Sequence, residues 1–213
     1  MKQVLLILIF ATLLLSCNSD SVDSAPEIKE PTRTKVSKDV KESAASIIPL
    51  VPKTIPPFYS KKGDFSIVFP GTPKEHKHTT TSEIGKIELT QYIYGKNDTD
   101  AWVASFSDYP KRMIQLGNKT QLLKGIKYRI LKDLRATVLF EEKIELDDKY
   151  NGLSFVAKAK KKDLNITYKI FLVKNRVYQL SMYSSIGAIQ TQDSIDFFGS
   201  FKLVSKEEKK EPR

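Results

Sequence analysis

Between Thr137 and Ser184 the chain carries four strand-length segments in succession: 137–146, 153–160, 165–173 and 176–184. Only turn-sized links separate them. Asp147-Asp148, Asn151-Gly152, Lys162-Asp163 and Lys174-Asn175 supply turn chemistry, since Asn, Asp and Gly tolerate the left-handed backbone that a tight reversal uses. Links this short join antiparallel neighbours, whereas a parallel crossover takes a dozen residues or more. The segment therefore reads as a four-stranded meander.

Upstream, Phe65 to Phe69 alternates and stops at Pro70-Gly71-Thr72-Pro73. Residues 75–81 and 86–94 form an expected hairpin around 82–85, and Ala101 to Tyr109 adds a strand with Trp102, Ala104 and Phe106 on one face. The period then changes. Leu122, Leu123, Ile126, Ile130, Leu131 and Leu134 make one stripe of a helix over 119–135, capped by Asn118 or Thr120. A short helix over 191–198 precedes a last strand at 201–204. The fold class is α+β: a mostly antiparallel sheet buries one apolar face beneath two helices.

The N-terminal region is organised differently. Val4 to Leu15 has only Thr12 as a polar residue, and its twelve residues are too few to span a bilayer, which takes about 20. After Lys2 this is the pattern of a signal peptide. It ends Leu14-Leu15-Ser16-Cys17, which resembles the bacterial lipobox. That resemblance implies cleavage after Ser16, diacylglycerol on the sulfur of Cys17 and acylation of the new amino group. Cys17 is the only cysteine of the chain, so an internal disulfide and Cys₂ or Cys₄ zinc sites are excluded. Asn18 stands where some proteobacteria place an Asp retention signal, so the expected address is the outer membrane, with its face left open.

Residues 18–57 hold six of the ten prolines and no aromatic residue. Such a stretch buries too little apolar surface to fold, and it reads as a flexible tether with a mean reach of roughly 35 Å. The expected organisation is thus a signal peptide at 1–16, a lipidated cysteine and tether at 17–57, a domain at 58–205 and a charged tail at 206–213.

Three stretches of the domain carry a further resemblance: Gly63 to Pro70, Asn175 to Leu180, and Asp196 to Leu203. An opening F-S-x-x-F-P, a late R-x-Y-Q-L and a closing F-F-x-S-F are similar to bacterial domains of the PsbP-like and DcrB-like fold. The resemblance implies an antiparallel sheet with helices on its faces. It supplies no catalytic residue, because its motif positions belong to core and turns, and fold alone does not license function.

His76 and His78 are the only histidines and share one face of a strand, yet they read as solvent-facing residues of an edge hairpin; no metal and no cofactor are expected. Glu141, Glu142, Glu145, Asp147 and Asp148 cluster, but interleaved Lys143 and Lys149 make a solvated strand and turn the better reading. Tyr92, Tyr94, Tyr168, Tyr178 and Tyr183 either line a groove or, as strand aromatics more often do, fill the core.

Basic charge is concentrated. The chain has 35 Lys+Arg against 25 Asp+Glu, and 111–135 alone holds eight basic residues against Asp133. Lys124, Lys127, Arg129, Lys132 and Arg135 fall off the apolar stripe of the helix, and 158–176 adds seven more basic residues against Asp163. If the two groups face the same way, they form a patch for an acidic protein, an anionic lipid or a polyanionic glycan. Nucleic acid is disfavoured by the exported address.

The expectation is a non-catalytic, membrane-anchored binding or accessory module at the cell envelope. The alternatives are a carrier of a lipid or other apolar ligand and, last, a hydrolase working through Glu141 and Glu145.

Overall fold

A computed structural model describes residues 55–82, 85–160, 164–185 and 191–204. Cys17, the signal peptide, the tether up to residue 54, residue 205 and the tail at 206–213 lie outside the described residues, as do Lys162 and Asp163.

Seven strands form one antiparallel sheet in the order β3-β4-β5-β9-β8-β7-β6. They are β3 (Lys74–Ser82), β4 (Gly85–Gly95), β5 (Ala101–Asp108), β6 (Ala136–Leu146), β7 (Tyr150–Ala159), β8 (Leu164–Val173) and β9 (Arg176–Ser184). The sheet consists of two meanders, β3 to β5 and β6 to β9. They are joined by pairing of β5 with β9 from Ala101↔Tyr183 to Asp108↔Arg176. Helix α1 (Lys111–Leu116) and helix α2 (Lys119–Leu134) fill the connection between the meanders.

The expected four-strand meander is present, with one correction at its first turn. The reversal is made by Asp147 and Asp148, with φ of 54° and 49°, while Asn151 and Gly152 already belong to β7. Gly152 is in the strand because its neighbours leave no space for a side chain. A Cβ there would lie 2.6 Å from Cδ1 of Phe171 and 2.7 Å from the Ile170 carbonyl oxygen. At the last turn Lys174 takes the left-handed conformation, with φ of 56°.

Asn118 is the cap of α2, its side-chain oxygen accepting from the backbone N–H groups of Thr120 (2.9 Å) and Gln121 (3.1 Å). At the other end Arg135 has φ of 49° and stands outside the helix as its left-handed cap. The short α1, which follows Pro110, breaks no turn signal and shows too few residues for a helical period. It contributes Met113 and Ile114 to the core.

Both faces of the sheet are covered, where the meander pattern alone predicts one and the resemblance implies helices on its faces. One face packs with α1 and α2 through Val103, Phe155, Ile166, Tyr168, Ile170 and Val177 against Leu123, Ile130 and Leu134. The other packs with α3 (Gln192–Gly199) and a second sheet of order β1-β2-β10, made of β1 (Phe58–Ser60), β2 (Phe65–Ile67) and β10 (Lys202–Leu203). Strand β9 shows how. Val177 and Tyr183 belong to the first core, Tyr178, Leu180 and Met182 to the second, and only Arg176 is less than fully buried. The small polar residues of β9, Gln179 and Ser181, are themselves buried, which disguises a doubly covered strand as a one-sided one.

The second core unites the three stretches that carry the resemblance, 63–70, 175–180 and 196–203. The ring of Phe65 lies 5.9 Å from Tyr178 and 5.5 Å from Phe201, and Phe69 lies 5.1 Å from Phe197. Tyr178 donates its hydroxyl to the Gly63 carbonyl at 2.7 Å, and the Val68 N–H donates to the Ser200 hydroxyl at 2.8 Å. The opening motif, the late strand and the closing helix are therefore one packing unit, with β2 and β10 paired at Ser66↔Lys202 and Phe65↔Leu203.

Candidate interaction surface

The basic residues of α2 divide by their partners. Lys127 forms an ion pair with Glu141 of β6, and Arg129 lies 3.3 Å from Asp133 one turn on. Both cations are partly buried, so they tie α2 to the sheet and brace its own last turns. Lys124 and Lys132 are exposed on the outer side, with exposed Tyr128 between them at helical spacing. Arg135 is exposed at the cap.

Of the basic residues of 158–176, Lys158, Lys169 and Arg176 do not join them. Cross-strand partners share a face, and Ser154↔Lys169 and Lys158↔Asn165 belong to the rows opposite the α2 face. Half-buried Lys169 extends toward α3, with its ammonium 5.6 Å from the Phe198 ring centroid. Burial lowers its pKa, and the charge of Glu142 opposes that shift. Arg176 is held at the far end of β9 by Asp108 and Asp64. Lys158, Lys169 and Arg176 thus lie on the side of the sheet opposite Lys124 and Lys132.

The remaining candidates also find structural positions. His76 and His78 are half-buried on one face of β3, opposite Gln91 and Leu89. Among the described residues no group of three His, Cys, Asp or Glu side chains is placed to hold a metal ion. Glu141 and Glu145 share a face of β6, but four strand residues put their Cα atoms ~13 Å apart. Asp147 and Asp148 make the turn.

The five candidate tyrosines pack into the two cores. Tyr92 and Tyr178 belong to the second core, with half-buried Tyr94 packed against it. Tyr168 and Tyr183 belong to the first, where their hydroxyls meet at 2.6 Å. Burial pushes the pKa of both upward, and for Tyr183 the adjoining Tyr168 adds to the effect.

What the sequence had not singled out is the outer edge of β6. A register shift between Val138 and Phe140 sets Leu139 in a bulge, and Leu139 and Phe140 are 61% and 55% exposed. Three apolar residues in a row before Glu141-Glu142-Lys143 break the alternation of a half-buried strand. That break was the available signal.

No protein-family model matches the chain, and no curated protein matches it. Among solved structures the chain is similar to the solution structure of cyanobacterial PsbP (CyanoP) from Synechocystis sp. PCC 6803. Identity is 10%, with 75% of this chain and 98% of that chain covered and a TM-score of 0.49.

Proposed function

We propose that the chain is a lipid-anchored, exported lipoprotein whose PsbP/DcrB-like domain acts by binding, as an accessory module at the cell envelope. The anchor rests on the sequence that ends in Cys17, and two or three acyl chains suffice for stable attachment. A tether of some forty residues then lets the domain reach a partner near the bilayer.

The observation that carries the non-catalytic reading is where the ionisable groups are used. Arg176 with Asp108 and Asp64, Lys127 with Glu141, Arg129 with Asp133, and Tyr168 with Tyr183 each join one element to another or brace one internally. The exposed large apolar side chains, Leu139 and Phe140 among them, offer contact surface instead.

In-cell crosslinking of the tagged full-length chain, followed by mass spectrometry, tests this reading. One dominant envelope protein recovered with the chain is the expected result. A bound lipid that extracts from the purified chain, with no protein partner, would transfer the assignment to a carrier.

A further inference from the structure

We infer that strand β6 pairs with β6 of a second copy of this chain, extending the seven-stranded sheet across a two-fold axis. This inference stands on the geometry of one edge and is independent of the proposed anchor.

The sheet has two edges, β3 and β6. A bare edge offers a row of unpaired N–H and C=O groups, and proteins blunt it with charge or bulges. Strand β3 exposes Lys74, Glu75 and Lys77 and no large apolar side chain among its described positions. Strand β6 has eleven residues and is exposed at Leu139 and Phe140, and beyond its bulge the regular run of 140–146 is paired, among the described residues, only on the β7 side.

One register of that run gives both Glu141 and Phe140 a complementary partner. Residues opposite each other in an antiparallel pair point to the same face, so a two-fold axis can pass through Glu141, Glu142, Lys143 or Ile144. An axis at Glu141 sets that carboxylate against its own copy, and one at Lys143 sets Glu141 against Glu145. An axis at Ile144 leaves Phe140 opposite the turn. Only an axis at Glu142 places Glu141 opposite Lys143 and Phe140 opposite Ile144, each twice. Glu141 then lies between Lys127 of its own chain and Lys143 of the other, and Phe140 gains an apolar cover. The register carries one unfavourable contact, Glu142 against itself, which directly opposed like charges make destabilising.

The axis residue supplies the test. The full chain is made with Glu142→Cys, Ile144→Cys or, on the other edge, Glu75→Cys, and whole cells producing each are oxidised. Tryptophan emission of buried Trp102 reports that each variant is folded. Glu142→Cys is expected to give a covalent species of twice the chain's mass, because residues opposite across the axis fall within the 4.4–6.8 Å Cα separation of disulfides. Ile144→Cys, Glu75→Cys and the unaltered chain are expected to give several-fold less. Adding Lys143→Glu to Glu142→Cys is expected to cut the yield several-fold, since it opposes two carboxylates twice. A folded Glu142→Cys chain that stays monomeric, or a yield equalled by Glu75→Cys, would overturn the inference. So would crosslinking to a species of any other mass.

Discussion

Arg176 and Asp108 are the last cross-strand pair of β5 and β9, and they meet as a two-pronged clasp: Nε and Nη2 each donate at 2.7 Å to a different carboxylate oxygen. The same guanidinium reaches outside the sheet. Nη1 donates to the Lys62 carbonyl at 2.9 Å and to Asp64 at 3.2 Å, and the group lies 4.8 Å from the Phe106 ring centroid. One side chain thereby joins the two meanders to the turn between β1 and β2. The carboxylate raises the Arg176 pKa further above its ordinary value, so the cation is permanent.

Arg176→Lys keeps the charge and loses the planar fork. Hydrogen bonds to charged groups contribute roughly 1.5–3 kcal/mol, and the half-exposure of Asp108 screens part of that. A loss of about 1–2 kcal/mol is expected in urea unfolding followed by Trp102 emission. A stability equal to that of the unaltered chain would mean that the clasp is ornamental.

Two glycines give opposite expectations. At Gly152 a methyl group meets the Phe171 ring and the backbone of the paired strand, so Gly152→Ala is expected to cost about 1–3 kcal/mol. At Gly125, inside α2, nothing lies within 4 Å of the added carbon, and Gly125→Ala is expected to stabilise by about 0.5–1 kcal/mol. Thermal melts of the two variants decide both, and a reversed order would refute the assigned strand and helix positions.

Alkaline pH tests the buried phenols. Burial pushes Tyr109 up to about 12 and raises Tyr168 and Tyr183 as well. A folded-state pKa above the unfolded one means that the native state holds its proton more tightly. The contribution is complete below the ordinary tyrosine pKa near 10 and is lost as pH rises toward the folded value. Stability is therefore expected to fall from about pH 10 to 12, by roughly 1.4 kcal/mol per pKa unit per group. In a spectrophotometric titration these three phenols should ionise only with unfolding. Their titration in the native state at the ordinary pKa would contradict the burial.

Much of this architecture is legible in the residues, because local pattern and local structure agree. The stripe from Leu122 to Leu134 becomes α2, and the turn pairs at Asp147-Asp148 and Lys174-Asn175 close hairpins. The hidden parts are long-range. Nothing near Ala101 announces that β5 will pair with β9 some eighty residues later. The six residues of α1 are too few to show a period, and Gly152 resembles a turn glycine until Phe171 stands over it. At the surface, counting charge along the chain cannot reveal that successive strand residues point to opposite faces. This is why Lys158 and Lys169 part company with Lys124 and Lys132. Exposed Leu139 and Phe140 were readable only as a fault in alternation.

The claim that the chain works from a membrane rests on Cys17, and intact-mass analysis of the chain isolated from its own cells' membranes tests it most directly. The expected species begins at Cys17, carries diacylglycerol and an N-acyl chain, and leaves the membrane fraction when the residue is changed by Cys17→Ser. An unaltered chain that is water-soluble, or a Cys17 recovered as a free thiol, would contradict the account.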